Sequence, residues 1–155
     1  MSNGSILAIC ICPVAGDPMH EVEKVEAIAG AGLQGDRYCY SKGSFNKGHR
    51  GKRQVTLING AFFQESGFEY VDSRRNIVTL GVELMWLIGR EFQLCDTVIM
   101  RGIKYCDPCN RPSKLRGEGK SFKDAFHDRG GLVAEILVGG SLWIGGHVIP
   151  PPKGY

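Results

Sequence analysis

Glycine recurs along the whole chain, and the segments between glycines are short runs of apolar and β-branched residues. The 155 residues include 22 glycines, which are spread through the sequence rather than gathered into one linker. Glycine tolerates the backbone conformations of tight turns, so many short strands joined by turns produce this pattern. The sequence therefore predicts a mainly β, antiparallel-rich, barrel-like fold with a few short helices.

Individual segments of the sequence also predict short strands and few helices. We predict strands over 6–12, 20–28, 53–58 and 74–79, a strand with its continuation over 91–101, and three short strands in the glycine-punctuated tail 130–149. Asn59 is a typical cap for a short helix over 60–67, and 82–89 is a second helical piece. The helices are small beside the strands, which again favours a β fold.

Side-chain alternation along two of these predicted strands indicates which face each polar residue occupies. In the predicted strand 74–79, Arg74 and Asn76 share one face and Arg75 points to the other, so one arginine is expected to face solvent. An arginine and an asparagine are costly to bury in an ordinary core. Their face is therefore predicted to be either a polar pocket or an exposed sheet edge. In the strand 53–58, Arg53 and Thr56 point to opposite faces.

The bulk properties favour one domain, residues 1–155, in the cytoplasm. Apolar residues make up 43% and charged residues 23% of the chain, as in a soluble globular protein. No apolar run approaches the roughly 20 residues needed to span a bilayer, and the start of the chain does not resemble an export signal. The net charge of +3 does not by itself predict nucleic-acid binding, although the basic, glycine-rich segment 42–53 suggests an anion.

The sharpest local motif is the C-x-x-C pair formed by Cys106 and Cys109. A structural zinc needs four ligands, and neither a second C-x-x-C nor paired histidines are present. A thioredoxin-like redox pair needs a βαβ context that the surrounding strands do not supply, which leaves a reversible disulfide as a secondary reading. Burial in the core is the ordinary fate of free cysteines, and we predict it for Cys10, Cys12 and Cys95.

Cys109 differs from the other cysteines. It follows Pro108 at a predicted helix start and is close in sequence to Arg111 and Lys114. A helix N-terminus and nearby cations both favour a thiolate over a thiol. The pattern alone leaves a reactive role and a structural role for Cys109 equally open.

Arg37 is a second candidate for binding an anion. It follows Gly35 and Asp36 after a predicted turn, where a guanidinium can hold a carboxylate or a phosphate by paired hydrogen bonds. The plainer alternative is a salt bridge between Asp36 and a nearby cation within the loop.

Seven segments in order resemble the MOSC family, the C-terminal domain of molybdenum-cofactor sulfurases, in a stand-alone bacterial-type form. The resemblance extends over nearly the whole chain. The segments are VAGDPMHEVEKVEAIAGAGLQGDRY (14–38), RQVTLI (53–58), RRNIVTLGVEL (74–84), IGREFQL (88–94), YCDPC (105–109), RGGLVAEILVGG (129–140) and WIGGHVI (143–149). The resemblance implies a β-barrel-like fold and a single MOSC domain.

The resemblance also implies a cofactor site. The family cysteine, which ligates molybdenum in relatives that reduce N-hydroxylated compounds, falls on Cys109, with Cys106 as a companion. Molybdenum cofactor (molybdopterin) carries an anionic phosphate, and matching motifs assign its binding to Arg37, Thr56, Arg74 and Asn76. Arg53 and Arg75 are then expected to lie on the opposite faces of their strands.

One segment departs from the family pattern. Reductase members with an N-terminal extension carry a Pro-x-Lys-Ser stretch near the start, where this chain has Pro13, Val14, Ala15 and Gly16. The lysine and serine of that stretch would contact a phosphate, so their loss puts an identical cofactor pose in doubt.

Several functions remain open at this stage. The first is a molybdenum-dependent oxidoreductase supplied with electrons by a separate reductase, with a small N-hydroxylated molecule as substrate. The second is a sulfur carrier that holds a persulfide on Cys109, supplied by a cysteine desulfurase, and delivers the sulfur to molybdenum cofactor or metal–sulfur clusters, with Cys106 resolving the persulfide. A cofactor-binding module without turnover is the third, and a nucleic-acid binder using residues 42–53 is the least favoured.

Overall fold

Eleven short strands form most of the regular secondary structure in the part of the chain that the structure describes. The structure is a computed structural model that describes residues 3–40, 51–108 and 121–152. The strands are β1 (Gly4–Ile11), β2 (His20–Val22), β3 (Lys24–Ile28), β4 (Gly32–Leu33), β5 (Val55–Asn59), β6 (Ile77–Leu80), β7 (Glu91–Leu94), β8 (Val98–Tyr105), β9 (Leu132–Val138), β10 (Gly140–Trp143) and β11 (His147–Ile149).

Helical structure within the described ranges is short. One α-helical turn, α1, spans Phe122–Ala125, and 3₁₀ helices span Arg37–Tyr40, Gly60–Phe62, Tyr70–Ser73 and Leu84–Leu87. Asn59 caps the second of these as predicted, because its Oδ1 accepts a hydrogen bond from the Ala61 amide at 2.9 Å. Among the helices described, none has the length and apolar character needed to cross a membrane.

Seven strands close into a barrel in the order β11-β7-β8-β9-β5-β6-β1, and β1 pairs back with β11. Neighbouring strands are antiparallel except β5 and β6, which run parallel. β2 adds to β1, and β10, β3 and β4 form a separate three-stranded sheet. This topology confirms the mainly β, barrel-like prediction.

The barrel interior is the main core. Along β8, Val98, Met100 and Gly102 are buried while the residues between them are more exposed, as expected for a strand with one face inward. Their inward side chains pack with those of β1, β5, β6 and β9, including Ile9, Leu57 and fully buried Leu132. This interior is filled by side chains, so a ligand site must lie outside it.

A second apolar cluster covers the outer face of β1, β5 and β6. Ile58 and Val78 from the barrel pack there against aromatic side chains that include Phe122 and Phe126. The rings of these two phenylalanines stack at 4.6 Å between centroids. Because of this cover, β5 and β6 are buried on both faces.

The structure corrects two predicted strand starts. The predicted strand 74–79 begins only at Ile77, and the predicted strand 53–58 begins at Val55. Arg74 ends the 3₁₀ helix Tyr70–Ser73 in the left-handed conformation, with φ of 63°, so strand alternation does not apply to it. The expectation that one arginine faces solvent was wrong, since Arg74 and Arg75 are 8% and 5% exposed.

Other predicted segments agree more closely with the structure. The predicted strand 20–28 is divided into β2 and β3, and 91–101 contains β7, a turn and the first half of β8. The tail forms β9, β10 and β11 as predicted.

Candidate functional site: a thiol among arginines

The segment that follows β8 meets the segments that precede β5, β6 and β9. Cys106 stands directly after β8, is 2% exposed, and donates its amide to the Gly131 carbonyl oxygen at 2.9 Å. Cys109 follows three residues later in the sequence and lies outside the described residues, as do Arg111, Lys114 and residues 42–50 of the basic segment. The described part of the site is therefore built around Cys106.

Arg53 reaches the sulfur of Cys106. Its Nη2 lies 3.6 Å from Cys106 Sγ, and its Nε donates to the Tyr38 hydroxyl at 3.2 Å. The guanidinium also lies 5.5 Å from the centre of the Tyr38 ring. Arg53 thus joins a thiol from the end of β8 to an aromatic ring from the 3₁₀ helix after β4.

The surroundings of Arg53 stabilise the positive charge on its guanidinium. Burial lowers the pKa of its guanidinium, but the attraction of the negative forms of Cys106 and Tyr38, with their hydrogen bonds, outweighs burial and raises the pKa above its ordinary value.

Arg75 holds the main chain of the same segment. Its Nη2 donates to the carbonyl oxygens of Cys106 at 3.4 Å and Asp107 at 3.2 Å, and its Nε donates to that of Gly130 at 2.8 Å. Its Nη1 donates to the Ser73 carbonyl oxygen at 3.3 Å. These four bonds go to neutral oxygens, so within the described residues no carboxylate neutralises this buried charge.

Arg37 forms the salt bridge that was the plainer of its two alternatives, and binding of a phosphate stays a prediction. Its Nη1 lies 3.0 Å from Asp36 Oδ1, and its guanidinium lies 4.6 Å from the centre of the Tyr38 ring. Asp36 is fully buried and also accepts the amides of Cys12 at 3.0 Å and Tyr38 at 3.3 Å. Tyr38 is therefore in contact with two guanidiniums, those of Arg37 and Arg53.

Arg74 contacts the segment where the family pattern is broken. Its Nη1 donates to the carbonyl oxygen of Asp17, and Cys12 Sγ donates to the same oxygen at 3.3 Å. The Arg37 amide donates to the Cys12 carbonyl oxygen at 2.7 Å. The segment 12–17 thus connects Arg37 with Arg74.

Thr56 and Asn76 are bonded to each other in the interior. Asn76 Oδ1 accepts the amide of Thr56 at 3.0 Å and its hydroxyl at 3.2 Å, and the Asn76 amide donates to Thr56 Oγ1 at 3.1 Å. Asn76 Nδ2 donates to the Cys10 carbonyl oxygen at 3.1 Å. These bonds tie β1, β5 and the start of β6 together, while a direct contact with a cofactor stays a prediction for both residues.

The cysteines outside the C-x-x-C motif are packed in the protein. Cys10, Cys12 and Cys95 are at most 5% exposed, which confirms their predicted burial. Burial, with a smaller contribution from the charge of Glu21, raises the pKa of Cys10 to about 12. Cys10 is therefore a neutral thiol at physiological pH and a poor nucleophile.

Comparison with known proteins gives a shared fold. YuaD from Bacillus subtilis superimposes with a TM-score of 0.77 at 16% identity, over 95% of this chain and 94% of that protein. YiiM from Geobacillus stearothermophilus gives 0.68 at 13% identity over 97% and 76% of the two chains. YiiM from Escherichia coli gives 0.64 at 12% identity over 96% and 70%.

The fold is that of YuaD and YiiM. This likeness is consistent with the MOSC-like fold that the sequence resemblance implies. No protein-family model matches the chain, and no curated protein matches it in sequence. At these identities the likeness to solved structures concerns the fold alone.

Sequence reasoning missed two members of the site. Arg53 and Arg75 were expected on faces away from it, yet both contact Cys106. Each precedes its strand by two residues, where alternation no longer governs side-chain direction. A usable signal was present, because Arg53 opens one predicted strand and Arg75 is the second residue of the other, and nearby cations favour a reactive thiol in a C-x-x-C motif.

Proposed function

We propose that this chain is a MOSC-type domain that binds molybdenum cofactor, with the Cys109 thiolate as the protein ligand to the metal, and reduces N-hydroxylated compounds. The observation that carries the proposal is the buried, positively charged surroundings of the C-x-x-C segment. Arg53 contacts the sulfur of Cys106, and Arg75 contacts the main chain just before Cys109. A thiolate is a soft ligand that suits such a metal.

The charges of the described residues suit a negatively charged cofactor that is ligated by a thiolate. Arg75 is 5% exposed and bonded to neutral carbonyl oxygens, and a buried charge is strongly disfavoured without a compensating group. Negative charge nearby, from thiolates or from the phosphate of a cofactor, supplies that compensation. The arrangement therefore favours an anion beside the C-x-x-C segment.

The chain's own residues would divide the work as follows. Cys109 ligates the metal, Arg53 and Arg75 stabilise negative charge on the thiols, and Arg37 and Arg74 bind the phosphate. Thr56 and Asn76, which we also assign to cofactor binding, fix the strand starts that carry the arginines. When bound, the cofactor supplies the two-electron chemistry that turns an N-hydroxylated compound into its reduced form and water, with electrons from a separate reductase.

Replacing Cys109 by serine tests the proposal directly. In protein purified from a host that makes the cofactor, we expect Cys109→Ser to retain about tenfold less molybdenum than the wild type, because a hydroxyl is a poor substitute for a soft thiolate. Metal analysis and pterin fluorescence measure the retention. Turnover of N-hydroxylated compounds with an added reductase system measures the activity.

Cys95→Ser is the matched control. Cys95 is buried in the turn between β7 and β8, at the other end of β8 from Cys106, so its replacement should leave molybdenum content unchanged. Wild-type protein without molybdenum, or a Cys109→Ser variant with full activity, contradicts the proposal.

Arg74→Ala tests the phosphate-binding side of the site. A charge-assisted hydrogen bond contributes about 1.5–3 kcal/mol, so loss of this guanidinium should weaken cofactor binding about tenfold or more. Titration of the apoprotein with the cofactor, followed by fluorescence, gives the dissociation constant. Arg129→Ala, which removes an exposed arginine from the segment before β9, is the control, and equal affinities in the two variants would remove Arg74 from the site.

A sulfur carrier is the second candidate, and the contact between Arg53 and Cys106 favours it. The Cys109 thiolate would attack the outer sulfur of a desulfurase persulfide, forming a new S–S bond and releasing the desulfurase thiolate. The Cys106 thiolate would then attack the inner sulfur, forming a disulfide with Cys109 and releasing hydrosulfide to the acceptor. Two electrons from a thiol reductant restore both thiols. Cyanide-releasable sulfur on Cys109 without molybdenum would select this function.

A further inference from the structure

Three sulfur-bearing side chains meet where β1 leads into β2, outside the barrel interior. Cys10, Cys12 and Met19 form a small buried cluster, against which Tyr70 and Val71 pack. All three buried members carry sulfur, although the chain has only six cysteines and four methionines among its 155 residues. Sulfur donors are thus concentrated at a place that the proposed function does not use.

Strand pairing directs these side chains to one face. β1 and β2 are antiparallel, with Ile11 opposite His20, and one position further Cys12 comes opposite Met19. Cys10 lies two residues before Cys12, and alternate residues of a strand share a face. Both cysteines are buried while Ile11 between them is more exposed, which agrees with this alternation. The two thiols and the thioether are therefore neighbours on the same side of the strand pair.

Only a surface turn, residues 13–18, joins the two strands beside this cluster. Cys12 Sγ lies 2.7 Å from the carbonyl oxygen of Val14 and 3.3 Å from that of Asp17, both in the turn. Val14 is itself 57% exposed. Movement of this turn is enough to let a small ion reach the sulfurs, and the barrel need not open.

We infer that Cys10, Cys12 and Met19 form a binding site for monovalent copper, Cu(I). Thiolate and thioether sulfur are the ligands that select this ion. Zinc takes four thiolate, nitrogen or carboxylate ligands, and the part of the chain that the structure describes gathers no three histidine, cysteine or carboxylate side chains that could hold a metal ion. On binding, two S–H bonds are replaced by two S–Cu bonds, two protons pass to solvent, and the copper stays Cu(I). The site goes beyond the proposed function and does not depend on it.

The charges around the cluster suit a complex of two thiolates with one monovalent cation, which is negative overall. Arg74 donates to the Asp17 carbonyl oxygen, the same oxygen that Cys12 Sγ approaches, so a buried guanidinium lies close to one of the sulfurs. Burial, and to a smaller extent the charge of exposed Glu21, disfavours a bare thiolate at Cys10. A bound cation removes that penalty, because the charge on the sulfur is then paired.

Titration of the full chain with Cu(I), in competition with the chromophoric chelator bicinchoninate and without oxygen, tests the site. The parent protein for this titration carries Cys106→Ser and Cys109→Ser, because the C-x-x-C thiols are also soft ligands. Three substitutions are then added one at a time: Cys10→Ala, Cys12→Ala and Met19→Leu. Cys95→Ala is the matched control, since Cys95 is also buried but belongs to the barrel interior.

We expect the parent and its Cys95→Ala variant to hold a single Cu(I) per chain. Loss of a residue that only orients a metal ligand costs about 10–100-fold in metal affinity, so loss of either thiol should cost at least as much. Met19→Leu nearly keeps the side-chain volume and removes the sulfur, so it should weaken binding about tenfold while the protein stays folded. X-ray absorption by the bound copper should find one sulfur neighbour fewer in Met19→Leu than in the parent.

A parent that holds no Cu(I) against the chelator overturns the inference, as does unchanged affinity in either alanine variant or in Met19→Leu. Oxygen or nitrogen neighbours of the copper overturn it as well, because the ion would then lie outside the sulfur cluster. Urea unfolding shows which variants are folded. If an alanine variant is not, the affinity and the sulfur count of Met19→Leu decide the question.

Discussion

Asp36→Ala is expected to lower the free energy of unfolding by about 3–5 kcal/mol, because it breaks a buried ion pair and leaves the other charge behind. The Asp36 carboxylate is fully buried and lies 3.0 Å from the Arg37 guanidinium, which is itself 5% exposed. The same carboxylate accepts the amides of Cys12 and Tyr38. Its removal therefore leaves one charge and two amide donors without this partner in the interior.

Urea unfolding of Asp36→Ala and of two companions measures this effect. Asp36→Asn keeps the shape and one acceptor oxygen, so we expect a smaller loss than in the alanine variant. Asp96→Ala removes an exposed carboxylate in the turn before β8 and should change stability by no more than about 0.5 kcal/mol. If Asp36→Ala is as stable as Asp96→Ala, the pair with Arg37 contributes nothing and the ordering of this loop needs another cause.

The fold was predictable because its signals are local. The tail shows this best, since the glycines at 130–131, 139–140 and 145–146 separate the runs that become β9, β10 and β11. At Gly140 and Gly145 the φ angles are 152° and 89°, in the region that favours glycine, so the turns depend on this residue type. Barrel closure also agrees with the family resemblance, which involves segments from nearly the whole chain.

The placement of the arginines was not predictable from alternation. The residues 74–76 read as part of a strand, but the preceding 3₁₀ helix ends at Arg74 in the left-handed conformation and turns the chain before β6 begins. Nothing in the sequence Arg-Arg-Asn signals that turn. Because the phase was wrong, Arg75 was expected on the strand face away from the site and is instead bonded to Cys106 and Asp107.

The partners of the site are set by tertiary contacts, which a sequence pattern does not contain. Cys106 was predicted to be a companion of Cys109, but its contact with Arg53 joins residues 53 positions apart. Similarly, the mutual bonding of Thr56 and Asn76 depends on the parallel pairing of β5 with β6. Motif matching gives no account of which atoms these residues contact.

The close approach of β9 to β5 leads to the second large effect, that of replacing Gly131. The φ of Gly131 is 106°, and a Cβ on this residue would overlap the Leu57 carbonyl oxygen in β5. Backbone strain of this kind costs about 1–3 kcal/mol, and overpacking costs about 1–3 kcal/mol more. We therefore expect Gly131→Ala to destabilise the protein by about 2–6 kcal/mol in urea unfolding.

Gly30→Ala separates the two contributions to that loss. Gly30 also has a left-handed φ, of 72°, but a Cβ there meets nothing within 4 Å, so only backbone strain should be measured. The excess loss in Gly131→Ala is then the cost of separating β9 from β5. Because the Gly131 carbonyl oxygen accepts the Cys106 amide, that separation should also loosen the C-x-x-C segment and speed hydrogen exchange at Cys106, while Gly30→Ala leaves it unchanged. Equal stability of the two variants, with unaltered exchange at Cys106, would show that the strand start moves aside at no cost and does not anchor the thiol segment.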